Sequence, residues 1–371
     1  MKKREEHFKD LLNLPLTGEL PASKEIGAKI RTLIKSGALP RNSQLPATKI
    51  LAQLCGVFPN TIQLALEPLV REGLLDRRQN RGTVVRGGRR RIVRLGFYEN
   101  FDAIAPGDRD FLLSLQVEMA RVLGEQNAEL KVWVGSGPIP KSLPKNLREA
   151  CQKREVDGIA ITQGNPSLVK ALMNLPVPIV AYPGLRFCKS RVEFRHAELV
   201  DQAVRRLNAL GVKRPAFLSS VTHETQSDIR DDSYLVYEYW NKSWAELGVK
   251  APRELLIRPT AKKPAKFIEQ YGYDAMKALW KTKKRPDGLF IFPHTAARGS
   301  LTALLEMGVN IPTDLKLVAH GNIETPILTP YPVDWITSSS RDIVQAMVQQ
   351  IQNGLDGLPV KPIWLRHKAN W

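Results

Sequence analysis

From residue 92 onward the chain alternates short apolar runs with amphipathic stretches, and this pattern most narrows the folds open to it. Residues 92–98, 130–134, 158–162, 178–182, 214–220, 288–292 and 315–319 are strand-length runs rich in Ile, Val, Leu and Phe. Helical patterns lie between most of them, as in 111–125, where Leu112, Leu115, Met119, Val122 and Leu123 recur at helical spacing. Strands that are apolar on both faces must be covered on both faces, and strand–helix alternation supplies the cover as parallel sheets flanked by helices. The 280 residues involved are more than a single core usually organises. The pattern therefore predicts an α/β fold with two doubly wound parallel-sheet lobes.

The first ninety residues read differently. Ile26, Ile30, Leu33 and Ile34 form the stripe of one helix that stops at Gly37. A second short helix opens near Thr48 and carries Ile50, Leu51 and Leu54 toward Gly56. A third begins at Pro59, where a missing N–H costs nothing, and buries Ile62, Ala65, Leu66 and Leu69 before Gly73. Pro68 inside it predicts a kink. Residues 74–78 and 83–86 then read as two strands around a polar turn. Three helices and a two-stranded ribbon predict a winged helix-turn-helix over residues 1–88, joined by a basic linker at 89–91 to a domain spanning 92–371. Of the chain's net charge of +18, the first 91 residues hold 18 Lys and Arg against 8 Asp and Glu, so a polyanionic partner is expected there.

Several of these residues carry a resemblance. Gly37 to Ala52, then Asn60-Thr61-Ile62, Ala65-Leu66, Glu72-Gly73-Leu74 and Arg81-Gly82-Thr83-Val84, resemble the GntR-type head. The resemblance implies that Lys49, Asn60, Thr61, Gln63 and Arg77 meet DNA and that the wing tip, Arg81 and Gly82, enters the minor groove. Helix 3 departs from the family at its start, with Phe58-Pro59 in place of the usual Ser-Arg.

Residues 92–371 are similar in their order of landmarks to the LacI-type effector domain, itself related to periplasmic sugar-binding proteins. The matching pieces include Val156-Asp157-Gly158-Ile159, Arg285-Pro286-Asp287-Gly288 and Gly308 to Leu315. A GntR-type head on such a sensor resembles the arabinose-repressor arrangement. By that resemblance residues 92–194 and about 338–356 form one lobe, and 198–333 and 359–371 the other. The family's cleft arginine falls on Arg230. His294 and Asn322 occupy two loop positions where the family has carboxylates that grip sugar hydroxyls. An arginine, a histidine and an amide predict an acidic or modified sugar, a phosphorylated metabolite or another metabolite in place of a plain neutral sugar.

Other chemistry finds little support. Residues 135–142 imitate a phosphate loop, but Pro140 stands where the second glycine belongs and offers no N–H. Cys55, Cys151 and Cys188 lie far apart, and six scattered histidines give no metal-ligand spacing, so no metal, cofactor or enzymatic site is expected. The basic N-terminus is followed by no apolar stretch, and no run approaches the roughly 18 residues of a membrane span, which predicts a cytoplasmic protein. The expected function is a ligand-responsive transcription regulator, a repressor relieved by a small metabolite. It would act as a homodimer on pseudo-palindromic operator DNA. The alternatives are a small-molecule binding protein with a merely structural head, a regulator whose pocket no longer binds ligand, and a catalytic fusion.

Overall fold

A computed structural model describes residues 20–78, 82–86, 92–100, 109–135, 143–162, 166–183, 188–221, 232–259 and 267–371. The chain divides into two compact units, residues 1–91 with 352–359 and residues 92–351 with 360–371.

In the first unit, α1 (Ala22–Ser36), α2 (Thr48–Cys55) and α3 (Pro59–Arg71) precede the strands β2 (Leu75–Arg78) and β3 (Gly82–Val85). The helix stripes read from the sequence are the core: Ile26, Ile30, Leu51, Ile62, Ala65, Leu66 and Leu69 are all buried. Gly37 and Gly56 close α1 and α2 in the left-handed conformation, which lets the cap N–H reach back to the last turn at no steric cost. The sheet has a third strand that periodicity missed, the two-residue β1 (Gln44–Leu45), paired antiparallel with β3. Two residues are too few to show alternation. The helical assignment of α3 runs through Pro68 to Arg71. Pro68 lies on the exposed face, so the Leu64 carbonyl it leaves without a donor is open to water.

The second unit contains the two doubly wound sheets. One has the order β5-β4-β6-β7, from β4 (Arg94–Asn100), β5 (Glu129–Gly135), β6 (Gly158–Ile161) and β7 (Ile179–Ala181), all parallel. The helices α4 (Arg109–Gly124), α5 (Lys145–Gln152) and α6 (Pro166–Met173) alternate with these strands.

The other sheet has the order β10-β9-β11-β12-β13-β15. It is built from β9 (Pro215–Ser219), β10 (Leu256–Ile257), β11 (Gly288–Phe292), β12 (Lys316–Asn322), β13 (Asp334–Ser338) and β15 (Lys368–Ala369), the last of which is antiparallel. Its helices are α7 (His196–Ala209), α8 (Val236–Glu246), α9 (Ile268–Trp280) and α10 (His294–Glu306), and α11 (Ser340–Leu355) follows β13. A separate parallel pair, β8 (Val192–Phe194) with β14 (Ile363–Leu365), lies where the chain passes between the sheets. Strands β8, β10, β13, β14 and β15 were not foreseen. Each has five residues or fewer, too short a span for a periodic apolar pattern to stand out.

The core of the six-stranded sheet is divided by strand alternation. Leu317 and Ala319 pack on the α9–α10 side, whereas Val318 packs with Trp240, Trp244 and Phe290 on the α7–α8 side. His320 and Asn322, two and four residues beyond Val318, therefore emerge on the α7–α8 side at the C-terminal end of β12.

Candidate functional sites: a basic helical face and a ring of aromatic side chains

On the first unit, the polar residues at the starts of α2 and α3 face outward. Lys49, Asn60 and Gln63 are exposed and Thr61 is half-buried. Their exposure follows from the stripe that buries Ile62, Ala65, Leu66 and Leu69 on the opposite side of α3. Arg77 of β2 is exposed and donates from Nη2 to Thr48 Oγ1 at 3.3 Å, tying the ribbon to the start of α2. Gly82 is exposed at φ 80°, a left-handed conformation that suits glycine at a wing tip. Arg81 lies outside the described residues. Phe58, immediately before α3, is 82% exposed. An apolar ring left in solvent beside these polar side chains can meet a thymine methyl in the major groove.

On the second unit, the strand ends gather side chains that lie far apart in sequence. Six rings form a closed circuit. Phe111 of α4 lies 6.1 Å from Tyr182, which follows β7. Tyr182 lies 6.4 Å from Phe194 at the end of β8, and Phe194 is 4.4 Å from His367. His367 is 5.4 Å from His320, His320 is 6.1 Å from His294, and His294 is 6.1 Å from Phe111. His196 and Phe292 brace it, with His196 6.0 Å from His367 and Phe292 5.2 Å from His320. Phe111 is half-buried and the other five members of the circuit are buried.

Hydrogen bonds fix the chemistry of two side chains at the end of β12. The backbone N–H of His294 donates to His320 Nδ1 at 3.2 Å. An accepting Nδ1 carries no proton, so the proton of His320 sits on Nε2, which is buried without a partner. Ser338 Oγ donates to Asn322 Oδ1, leaving the Asn322 amide nitrogen as an unused buried donor. His294 Nε2 is likewise unpartnered. Across the unit, Tyr98 OH, one oxygen of Glu99 and Thr162 Oγ1 are buried and unpartnered at the C-terminal ends of β4 and β6. Burial without partners normally costs 1–3 kcal/mol per group, so so many at strand ends marks a place where something else supplies the bonds. C-terminal strand ends are also where open α/β sheets bind molecules.

Burial keeps these imidazoles neutral. His294 is pushed down to about 4, first by desolvation and then by Arg298, with Asp110 opposing. His320 falls well below its ordinary value, again first by burial and then by His367, His294 and His196. Arg298 is engaged by Asp110 at 3.0 Å and Glu269 at 3.8 Å. Burial also raises the thiols of Cys55, Cys151 and Cys188, which leaves them poor nucleophiles at neutral pH.

Of the residues predicted from sequence, His294 and Asn322 stand at the ends of adjacent parallel strands. Arg230 and most of the phosphate-loop imitation lie outside the described residues. The reading missed His196, His320 and His367, because histidines scattered along the chain gave no spacing pattern. A signal was present: Phe-x-His occurs twice at strand ends, as Phe194-Arg195-His196 and Phe292-Pro293-His294. Among the described residues, no group of three or more His, Cys, Asp or Glu is arranged to hold a metal ion. No helix there is long and apolar enough to cross a membrane.

Known proteins match each part in turn. Residues 22–85 match the bacterial regulatory proteins of the gntR family, and residues 204–362 match the periplasmic binding protein-like domain. The chain joins a GntR-type head to a periplasmic-binding-protein-like body. The body's fold is that of LacI-family regulators. One from Clostridium acetobutylicum superposes with a TM-score of 0.59 at 18% identity, covering 75% of this chain and 98% of that one. One from Enterococcus faecium with bound ribose gives 0.57 at 17% identity, covering 75% and 97%. Among curated relatives, the HTH-type transcriptional repressor PurR of Haemophilus influenzae is 22% identical over 223 residues, 58% of this chain and 62% of the relative. The chain thus spans about three fifths of that relative's length.

Proposed function

We propose that this protein is a ligand-responsive, DNA-binding transcription regulator, a repressor relieved by a small metabolite held at the strand ends of its body. The observation that carries the reading is the union, in one chain, of a GntR-type head and a LacI-like body. The head exposes Lys49, Asn60 and Gln63 on one side of its helices, and the body leaves buried donors unpaired at its strand ends. In this reading Lys49, Asn60, Thr61, Gln63, Arg77, Arg81 and Gly82 contact operator DNA, and Arg230, His294 and Asn322 belong to the effector site. No catalytic step is needed, and the protein works in the cytoplasm. Effector binding would change the balance between two arrangements of the body and so alter operator affinity by a coupling free energy.

Selection from a randomised duplex library with the full chain tests this reading. It should enrich one sequence class whose retention falls linearly in log affinity with log salt. Lys49→Ala should reduce that slope by about 1, whereas Asn60→Ala and Gln63→Ala should relax the base preference at single positions. Phe58→Ala should weaken binding to the selected site as much as replacing its thymines by uracils does, because both remove the same methyl contact. Enrichment of no sequence by the wild type would sink the DNA-binding assignment.

A regulator of this kind is expected to be a homodimer, and one face suits a second copy. Strand β5 is the edge of its sheet, and its Val132 and Val134 pair with Phe97 and Glu99 of β4, on the sheet face that α4 covers. Val132 and Val134 are 39% and 58% exposed, beside Leu113 and Val117 of α4 at 57% and 58%. Exposed apolar side chains on an adjoining helix and edge strand form a patch that soluble monomers usually avoid. Val117→Glu in the full chain should give a monomer in sedimentation velocity at micromolar concentration. A dimer unchanged by Val117→Glu and by Val134→Glu would move the interface elsewhere.

A further inference from the structure

The end of the six-stranded sheet opposite the ring circuit carries a charge pattern that effector binding leaves unused. Strands β9, β11 and β12 are parallel, so the turns that enter them lie side by side. Those turns bring Lys213 and Arg214 ahead of β9, Lys283, Lys284 and Arg285 ahead of β11, and Lys316 to the first position of β12. Hydrogen bonds tie the three turns together. The Asp287 carboxylate accepts from the backbone N–H of Lys213 at 2.9 Å and of Arg214 at 2.7 Å, and the Asp287 carbonyl accepts from the Lys316 N–H at 3.0 Å. The Arg214 guanidinium donates to the carbonyls of Lys284 and Arg285 at 3.1 and 3.2 Å. Lys213, Lys283, Lys284 and Arg285 are exposed, and Arg214 and Lys316 are half-buried.

Ordinary surface pairing does not account for this face. Cations on the helices before these turns have acids: Arg206 meets Asp334 at 2.8 Å and Lys277 meets Glu306 at 2.9 Å. Among the described residues, none of the six turn cations is in an ion pair. Two carboxylates lie in the same turns, and both are occupied. Asp287 holds the backbone, and Asp314 accepts from the N–H and side-chain amide of Asn310 at 2.9 and 3.1 Å. The negative C-terminal end of a helix attracts cations within its last turn. Here α7 ends at Ala209 and α9 at Trp280, at least three residues before the cations that follow them. Like charges held together without counter-charges repel, and an external anion relieves that repulsion.

The class of anion follows from what the face lacks. A stable protein interface needs apolar or aromatic anchors at its centre. Among the described residues, no large hydrophobic side chain is exposed in these turns, and Trp280 lies under the Arg285 guanidinium, 5.0 Å from its ring centroid. A phosphodiester backbone asks for no such anchor, because Lys and Arg alone hold it without reading sequence. We propose that this end of the sheet is a second nucleic-acid contact, a sequence-independent grip on the phosphates of duplex DNA made by the body itself. It is separate from operator reading by the head and does not depend on it.

Binding of the full chain to a duplex of random sequence, measured across a salt series, tests the assignment. Lys213→Gln, Lys283→Gln and Lys284→Gln together remove three exposed cations. They should flatten the slope of log affinity against log salt by about 2 to 3, since each phosphate contact contributes about 0.9. Lys145→Gln, Lys153→Gln and Lys170→Gln remove the same charge from exposed positions beside the four-stranded sheet and should leave the slope nearly unchanged. The flattening should persist when the head carries Lys49→Ala and Arg77→Ala, which separates the body's contact from the head's. Melting curves check that each variant folds. Equal flattening by both triple variants would mean that net charge alone acts and would overturn the proposal. A slope untouched by the first triple variant overturns it too. If that variant instead loses retention of polyglutamate, the face belongs to an acidic protein partner. Absence of wild-type binding to the random duplex at low salt also overturns the proposal.

Discussion

Acidification from pH 7 to pH 4 should destabilise the body steeply, with much of the loss appearing above pH 5, before most carboxylates take up protons. His294 is depressed to about 4 in the folded protein and returns to about 6.5 when the chain unfolds. A base whose folded value is depressed contributes stability that is fully present above the unfolded value. That contribution is lost as pH falls from 6.5 through 4, because the unfolded chain then binds a proton that the folded chain refuses. For His294 the loss amounts to about 3 kcal/mol, and His320 adds to it in the same direction. The groups that set the effect are Arg298, which opposes protonation, Asp110, which favours it, and the imidazoles of His196 and His367. Thermal melts followed by circular dichroism at pH 7, 6, 5 and 4 would show it. His294→Asn should flatten the curve between pH 6.5 and 5 relative to wild type. A wild-type melting temperature constant from pH 7 to 5 would mean that these imidazoles are not held neutral by burial.

The second large effect is expected where α9 and α10 touch. A Cβ on Gly299 would fall well inside the van der Waals radius of the Glu269 carbonyl oxygen and 2.9 Å from the Tyr273 nitrogen. A Cβ on Gly272 would overlap the Ala296 carbonyl oxygen in the same way. Both obstacles are backbone, so no side-chain rotation relieves them and the helices must move apart. Ser300 Oγ donates to the Gly272 carbonyl at 3.1 Å across the same contact, which separation would break.

Alanine improves helix propensity over glycine by about 1 kcal/mol, yet overpacking of this kind costs about 1–3 kcal/mol or more. Gly299→Ala should therefore lower stability by about 2 kcal/mol net, read as a lower denaturation midpoint at unchanged slope. Gly124→Ala, at the end of α4 where a Cβ meets nothing within 4 Å, is the control and should be neutral or slightly stabilising. Equal behaviour of the two variants would show that the close approach of α9 and α10 is not what glycine serves there. Because α10 begins at His294, a shift of this helix should also disturb the His294–His320 bond and with it effector binding.

Local patterns in the sequence determined the longer elements of both parts, though not the short strands β1, β8, β10, β13, β14 and β15. The stripe Ile62, Ala65, Leu66 and Leu69, the capping glycines Gly37 and Gly56, and the apolar run 288–292 are short-range signals. Each is set by what a helix or buried strand requires of adjacent residues, so a linear reading finds them. The families followed from the same residues, because their motifs lie in consecutive positions. The sequence also pointed to His294 and Asn322, as departures from a motif at strand ends.

Tertiary structure alone decided what surrounds those two residues. His196, His294, His320 and His367 lie on four different strand ends, separated by up to 171 positions in the chain. The parallel pairing of β11 with β12 sets His294 beside His320 and that of β8 with β14 sets His196 beside His367, and the His320–His367 contact joins the two pairs. Their protonation is tertiary as well. An imidazole exposed on a helix would titrate near 6.5, whereas burial among three others holds His320 neutral, and a backbone N–H from the neighbouring strand end fixes its proton on Nε2. Composition could count six histidines, but which are buried and where each proton sits depend on distances that no linear spacing encodes.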